Sequence, residues 1–448
     1  MSRFAAPILA AAATCAVLWG GTATAQLLPG VGLPPLGAPL SLGSPPIAGP
    51  VLSGILGTPN SAQARQAINP TLDTVAGLPQ SVADAGETTL LEIRRLRLQQ
   101  LIRENRNALE ADGAGEPVRR GVLLAIDPDP ASLQAAYRAG FRIVADDRNA
   151  ELGMRTVQLA VPRGMSARES LNRLHRVAPQ LRADFDHLFE PAGGALAAMN
   201  GALASVPASG RGRVVGMVDG GVASHASLRG ASIEQNGFAG APQPTGHGTA
   251  VASLLVGSDG PFHGAAVGAQ LYVADVYGGS RAAGSASAIV KALGWLAGHR
   301  PQVINISLVG PANQAVQRAI QIVRSRGIEV VAAVGNDGPA APPQYPASYP
   351  GVVAVTGVDA GGRALPEAGR ATHLDFAAPG ADMAAALPGS GYARVRGTSF
   401  AAPLVAARLL AAGSPERLAM EARPGRGRVG RGVVCGSCRI EPKVVRAK

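Results

Sequence analysis

Four residues stand in glycine-bearing contexts whose types could do chemistry together. Asp219 ends the apolar run Val214 to Val218 and is followed by Gly220-Gly221. His247 sits in Gly246-His247-Gly248-Thr249, ahead of the apolar run Ala250 to Val256. Asn336 follows Val330 to Val334 in the turn Gly335-Asn336-Asp337-Gly338. Ser399 closes Gly397-Thr398-Ser399 before the apolar run Phe400 to Leu410. A serine hydroxyl is a weak nucleophile until an adjacent base takes its proton. An imidazole is the usual base, and it can return that proton to a leaving group. A carboxylate fixes the imidazole tautomer, and an amide donor can receive a developing oxyanion. Each residue alone has a commoner explanation. An Asp after a strand is usually a turn former, a Ser opening a helix an N-cap, and an Asn in a Gly-rich turn a left-handed residue. The combination, in this order, is what carries weight.

The flanking segments predict the elements that position these groups. Val214–Val218 and Val330–Val334 read as short buried strands. Asp219 and Asn336 then lie at the carboxyl edge of a sheet, where α/β proteins build their sites. The runs after His247 and Ser399 read as apolar helices, with Pro403 expected in the first turn, where its missing N–H breaks no bond. The unit spans 211–415.

The remainder divides by composition. With 448 residues, 47% hydrophobic, 58 Gly and 35 Pro, the chain is neither disordered nor collagen-like, and exceeds a single core of roughly 250–300 residues. Arg3, the apolar run Phe4 to Gly20 and Ala23-Thr24-Ala25 read as an export signal over 1–25, so the mature protein is expected to be periplasmic or secreted. The alternative is an uncleaved anchor; no later stretch is long and apolar enough to span a bilayer. Residues 26–87 form a Pro/Gly-rich linker, and 88–112, with Leu91, Leu98, Leu101, Ile102 and Leu109, one amphipathic helix. Residues 117–191 show the order β-α-β-β-α-β of a ferredoxin-like unit, with Ser166 and Glu169 as a capping box.

The formal charge of +11 is concentrated at the end: 416–448 carries nine basic and three acidic residues. That segment reads as a solvated basic tail. Without interleaved aromatics it does not read as a nucleic-acid binder. Its Cys435-Gly436-Ser437-Cys438 lacks the further ligands of a zinc site and the helix start of a redox motif. A local disulfide is the better reading.

Segment 211–415 resembles the catalytic domain of the subtilisin-like serine peptidases. Val-Asp-Gly-Gly at Asp219, Gly-His-Gly-Thr at His247 and Gly-Thr-Ser-Phe-Ala-Ala-Pro at Ser399 match the three triad motifs in the family's order. Asn336 matches the oxyanion asparagine, and Ser307-Leu308-Val309 the substrate-lining strand. The resemblance implies a three-layer α/β fold with a central, mostly parallel sheet, preceded here by the small ferredoxin-like unit. It implies endopeptidase chemistry on protein or peptide substrates through an acyl-enzyme. No cofactor is required; structural calcium occurs in relatives, but no matching acidic loop is evident. The 117–191 unit has the size and position of a prodomain that assists folding and caps the cleft, with autocleavage expected between Pro191 and Arg213. Two positions depart from the family: Gly220 replaces a hydroxyl residue, and Val309 replaces a glycine, narrowing the S1 cleft. A G-x-S-x-G elbow is lacking at Ser399, which sets aside an α/β-hydrolase. The competing class is a weak or inactive binding protein with this fold at the cell surface.

Overall fold

A computed structural model describes residues 87–192, 194–196, 210–389 and 391–446. The expected signal and all but the last residue of the linker lie outside them. The first helix spans Glu87–Glu104, shorter than expected. The Asn105 N–H closes it on the Leu101 and Ile102 carbonyls, and Leu109–Ala111 then pairs antiparallel with Pro117–Arg119. Leu109 is fully buried as a strand residue rather than as the helix's last apolar position. The helix also buries Arg94, which a simple amphipathic pattern does not foresee.

The ferredoxin-like unit forms as expected. Strands Pro117–Ile126, Arg142–Asn149, Met154–Ala160 and Arg182–His187 alternate with helices Pro130–Arg138 and Ala167–Val177. Across the sheet the order is 142–149, 154–160, 117–126, 182–187, all antiparallel. Ser166 and Glu169 exchange the reciprocal bonds of the capping box, satisfying helix N–H groups that have no internal partner. Leu123, Val157, Leu159, Phe141 and Leu174 fill the core between sheet and helices.

The second unit is built on seven parallel strands. Their order is Phe376–Pro379, Val353–Val358, Glu329–Ala333, Val303–Ile306, Val214–Asp219, Gln270–Asp275 and Ser232–Gly237. Side chains alternate between the faces, so each strand feeds two cores. Val215 and Met217 join helices Gly246–Val256 and Thr398–Ala412 on one side; Val218, Ile304 and Ile306 join helices Ala286–Gly298 and Gln314–Ser325 on the other. This is the three-layer α/β arrangement, and burial on both faces explains the uninterrupted apolar runs.

Residues 416–446 are not a solvated tail. Leu418, Val434 and Ile440 are buried in the core of the Ser399 helix. The Val434 N–H bonds to the Ala377 carbonyl, and the Ala384 N–H to the Ile440 carbonyl. Arginine density masked a few apolar anchors, and burial follows the anchors. Cys435 and Cys438 form the expected local disulfide. Among the described residues no helix is long and apolar enough to cross a membrane.

Candidate active site

Asp219 ends the strand flanked by 270–275 and 303–306, fully buried at the carboxyl edge of the sheet. Its Oδ1 accepts from the Gly220 N–H at 2.7 Å and lies 2.8 Å from His247 Nδ1. His247 is delivered by the second position of its helix, which Thr245 caps through the Gly248 N–H at 3.0 Å. Gly248 is required there: a Cβ would strike the carbonyls of Gly220 and Gly221, so only glycine lets the helix start approach the strand end. Gly220 has a comparable reason, because a Cβ would run into the Thr245 hydroxyl. Asp219 Oδ2 has no hydrogen-bond partner among the described residues. The His247 ring packs against Phe400, with centroids 5.5 Å apart.

Ser399 is the second residue of helix Thr398–Ala412, which starts at Gly397 with φ of 135°, a conformation that favours glycine. The helix begins two residues earlier than expected, so Pro403 lies in its second turn. Its missing N–H leaves the Ser399 carbonyl free, and the Ser307 hydroxyl donates to that carbonyl at 2.9 Å. The proline thus makes an acceptor that ties the Ser399 helix to the Ser307–Val309 segment. The Ser399 hydroxyl donates to the Ser307 carbonyl at 3.3 Å, while His247 Nε2 has no partner among the described residues.

Asn336 is oriented by Thr398, whose N–H donates to Asn336 Oδ1 at 3.0 Å. The Asn336 amide N–H₂ therefore points the other way, and it donates to the carbonyl of Ala192. The Ser399 N–H donates to the same carbonyl at 3.0 Å, and the Thr398 hydroxyl lies 3.5 Å from it. One peptide carbonyl thus faces the side-chain amide and the serine N–H together.

The segment bearing that carbonyl lies in the cleft as an added strand. Glu190–Pro191 pairs antiparallel with Leu308–Val309, and the Ala192 N–H bonds to the Ser307 carbonyl at 3.0 Å. On its other edge the Phe189 N–H bonds to the Gly284 carbonyl at 2.8 Å, and the Tyr277 hydroxyl donates to the Phe189 carbonyl at 3.0 Å. Beyond Ala192, residues 194–196 pair with Tyr392–Arg396. Ala192 is 2% exposed and shares a cluster with Val309. Phe189 is fully buried over Gly310, where a Cβ would collide with its ring. All of Asp219, His247, Asn336, Ser399 and Ser307–Val309 therefore meet at one cleft. Thr398, Tyr277 and the Phe189–Ala192 strand escaped the sequence reading. Thr398 stands in the Ser399 motif without a role of its own there, and Ala192 carries no side-chain chemistry.

The N-terminal unit is anchored beside this cleft by charge. Asp186 accepts from the Ser287 N–H and hydroxyl at 2.9 and 2.8 Å, at the start of helix 286–298. Asp184 accepts from the Gln314 N–H at 2.9 Å, at the start of helix 314–325. Carboxylates suit helix N-termini. Burial nevertheless pushes both carboxyls above their ordinary range, against the pull of these donors. Asp337, next to Asn336, pairs with Arg94 and Arg97 of the first helix at 3.1 and 3.0 Å. Asp275 aligns with Asp219 in the neighbouring strand, but its oxygens are taken by the N–H groups of Tyr277, Gly278 and Gln243. It shapes a loop.

Comparisons with known proteins bear on the family and the fold. Residues 210–415 match the Subtilase family. Subtilisin Savinase of Lederbergia lenta is 36% identical over 203 residues, which are 44% of this chain and 75% of that protein. The alkaline protease of Alkalihalobacillus alcalophilus is also 36% identical over 203 residues, covering 44% of this chain and 53% of its own length. The crystal structure of fervidolysin from Fervidobacterium pennivorans, described as a keratinolytic enzyme related to subtilisin, aligns with a TM-score of 0.62 at 20% identity. That alignment covers 74% of this chain and 62% of fervidolysin, and it shows the fold.

Proposed function

Because this chain belongs to the subtilase family and is a serine-type endopeptidase, we propose that Asp219, His247 and Ser399 are its triad and that it cleaves itself after Ala192. The observation that supports this reading is the Ala192 carbonyl, held by Asn336 and the Ser399 N–H on an added strand. A bound peptide offers its scissile carbonyl to an oxyanion hole in this way.

In the reaction, the Ser399 hydroxyl exchanges the Ser307 carbonyl for His247 Nε2. Ser399 Oγ then bonds to the carbonyl carbon of Ala192 while Nε2 takes the proton. Asp219 holds Nδ1–H and stabilises the imidazolium through the 2.8 Å contact. Asn336 and the Ser399 N–H receive the oxyanion. The C–N bond after Ala192 breaks, the imidazolium protonates the leaving amine, and the acyl-enzyme is released by water activated at the same Nε2. Val309 beside Ala192 favours small residues before the cleaved bond, and protein or peptide chains are the substrates in trans.

The 117–191 unit acts as an intramolecular chaperone and, after cleavage, as an inhibitor whose last residues lie in the cleft. The enzyme is exported by the segment 1–25. One experiment tests the core of this reading: fluorophosphonate labelling of the purified protein, then N-terminal sequencing of the labelled band. A labelled species beginning at Gly193 is expected. A protein that resists the probe would instead be the inactive, fold-sharing binding protein.

A further inference from the structure

Glu190 is the one acidic residue in the segment Leu188–Ala192 that lies in the cleft, and it is 7% exposed. A carboxylate taken so far out of water needs a partner. It has two. Arg281 Nη2 lies 2.9 Å from Oε1, and Arg97 Nη2 lies 3.3 Å from Oε2. The two arginines differ in origin. Arg97 belongs to the N-terminal helix, and the same nitrogen also bonds Asp337. Arg281 belongs to the catalytic unit, in the loop between strand 270–275 and helix 286–298.

Part of that loop's backbone is held by the catalytic unit itself, while Ala282 also packs on Leu101 of the N-terminal helix and on Leu109. The Tyr277 and Gly278 N–H groups bond to Asp275, and the Ser280 N–H to the Tyr277 carbonyl. Tyr277 in turn donates to the backbone of the cleft strand at Phe189. The bonds to Asp275 and Tyr277 lie within the catalytic unit, so the loop that carries the guanidinium keeps anchors of its own once the N-terminal helix has left. Glu190's backbone is paired with Val309, which fixes its register relative to Ala192.

Resting on the peptidase reading above, we infer that Arg281 is a specificity-determining residue that selects an acidic side chain at the third position before the cleaved bond. The substrate class is peptides of the pattern aromatic, acidic, Pro, small, as in Phe189-Glu190-Pro191-Ala192. A charge-assisted hydrogen bond, discounted for the partial exposure of Arg281, supports a preference of about tenfold over the neutral isostere. Asp337 works against it. Once Arg94 and Arg97 leave with the N-terminal helix, its carboxylate faces the same subsite unpaired by them.

The test uses the full chain, allowed to process itself, with peptides bearing Phe-Glu-Pro-Ala, Phe-Gln-Pro-Ala or Phe-Lys-Pro-Ala before the cleaved bond. The Glu-to-Gln ratio of kcat/KM is expected near ten, shrinking as salt rises. It falls to about one in Arg281→Ala, and Arg281→Glu inverts it towards the Lys peptide, which mere structural damage would not do. Asp337→Asn raises it about threefold. Cleavage of the Gln peptide with a Glu-to-Gln ratio of one, or a ratio that survives Arg281→Ala, overturns the inference and leaves the peptidase reading standing. Failure to hydrolyse any peptide, together with no fluorophosphonate labelling, removes both. If the protein labels but cleaves no peptide, self-cleavage decides: Glu190→Lys slows it, and adding Arg281→Glu must restore it for the inference to stand.

Discussion

The two folded units state their roles in different ways. The catalytic unit, 210–446, is a parallel sheet buried on both faces, and the residues proposed for its chemistry sit on short motifs at strand and helix ends. The ferredoxin-like unit is an antiparallel sheet whose edge strand Arg142–Asn149 is largely exposed, and it carries no motif. Yet its last residues supply the most informative contact in the molecule, through the alanine carbonyl at Ala192. The comparison teaches that groups proposed for catalysis are recognisable by type, whereas a segment proposed as substrate is recognisable only by where its backbone goes.

The sharpest way to break the comparison is to remove the nucleophile. Ser399→Ala is expected to lower hydrolysis by about 10⁴-fold or more and to leave the full chain uncut on a denaturing gel. Cleavage at an undiminished rate would show that the motifs of the catalytic unit are not its chemistry. Asn336→Ala should slow turnover about 10²–10³-fold with folding intact, as judged by circular dichroism. A loss in KM alone would mean that the amide binds the ground state rather than the oxyanion.

The other unit can be challenged next. Ala192→Phe forces a ring into a buried position beside Val309. Overpacking of about 1–3 kcal/mol should slow self-cleavage roughly 10- to 100-fold, read as the half-life of the full chain. Equal half-lives would place the cut elsewhere. Asp186→Ala strands the Ser287 donors at a helix start. It should loosen retention of the cleaved N-terminal unit by about 1.5–3 kcal/mol, measurable by titration of the two fragments. The smallest effect belongs to the Cys435–Cys438 bridge. It closes so short a loop that its loss should cost at most about 2 kcal/mol, seen as a modest fall in Tm on reduction.

How much could be read in advance follows from these particulars. Asp219, His247, Asn336 and Ser399 were legible because each needs glycine neighbours that let backbone segments approach closely, and such neighbours are written locally. The sheet was legible because strands buried on both faces must be apolar throughout. Pro403 was misplaced by a turn, since helix starts depend on caps and contacts that no apolar run encodes. The segment after 415 was misjudged because eight arginines and lysines beyond Arg417 outweighed Leu418, Val434 and Ile440 in the reading, though not in the fold.

By itself the amino-acid sequence pointed to the reaction class, to the residues proposed to carry it and to a division into two units, because these rest on side-chain chemistry and local backbone freedom. Only the tertiary structure decided what lies in the cleft, how Thr398 aims Asn336, and that Arg97 and Arg281 reach Glu190 from either side of it in sequence. Those are distances between residues far apart in sequence. They are set by sheet register and helix docking, and no short stretch of sequence contains them.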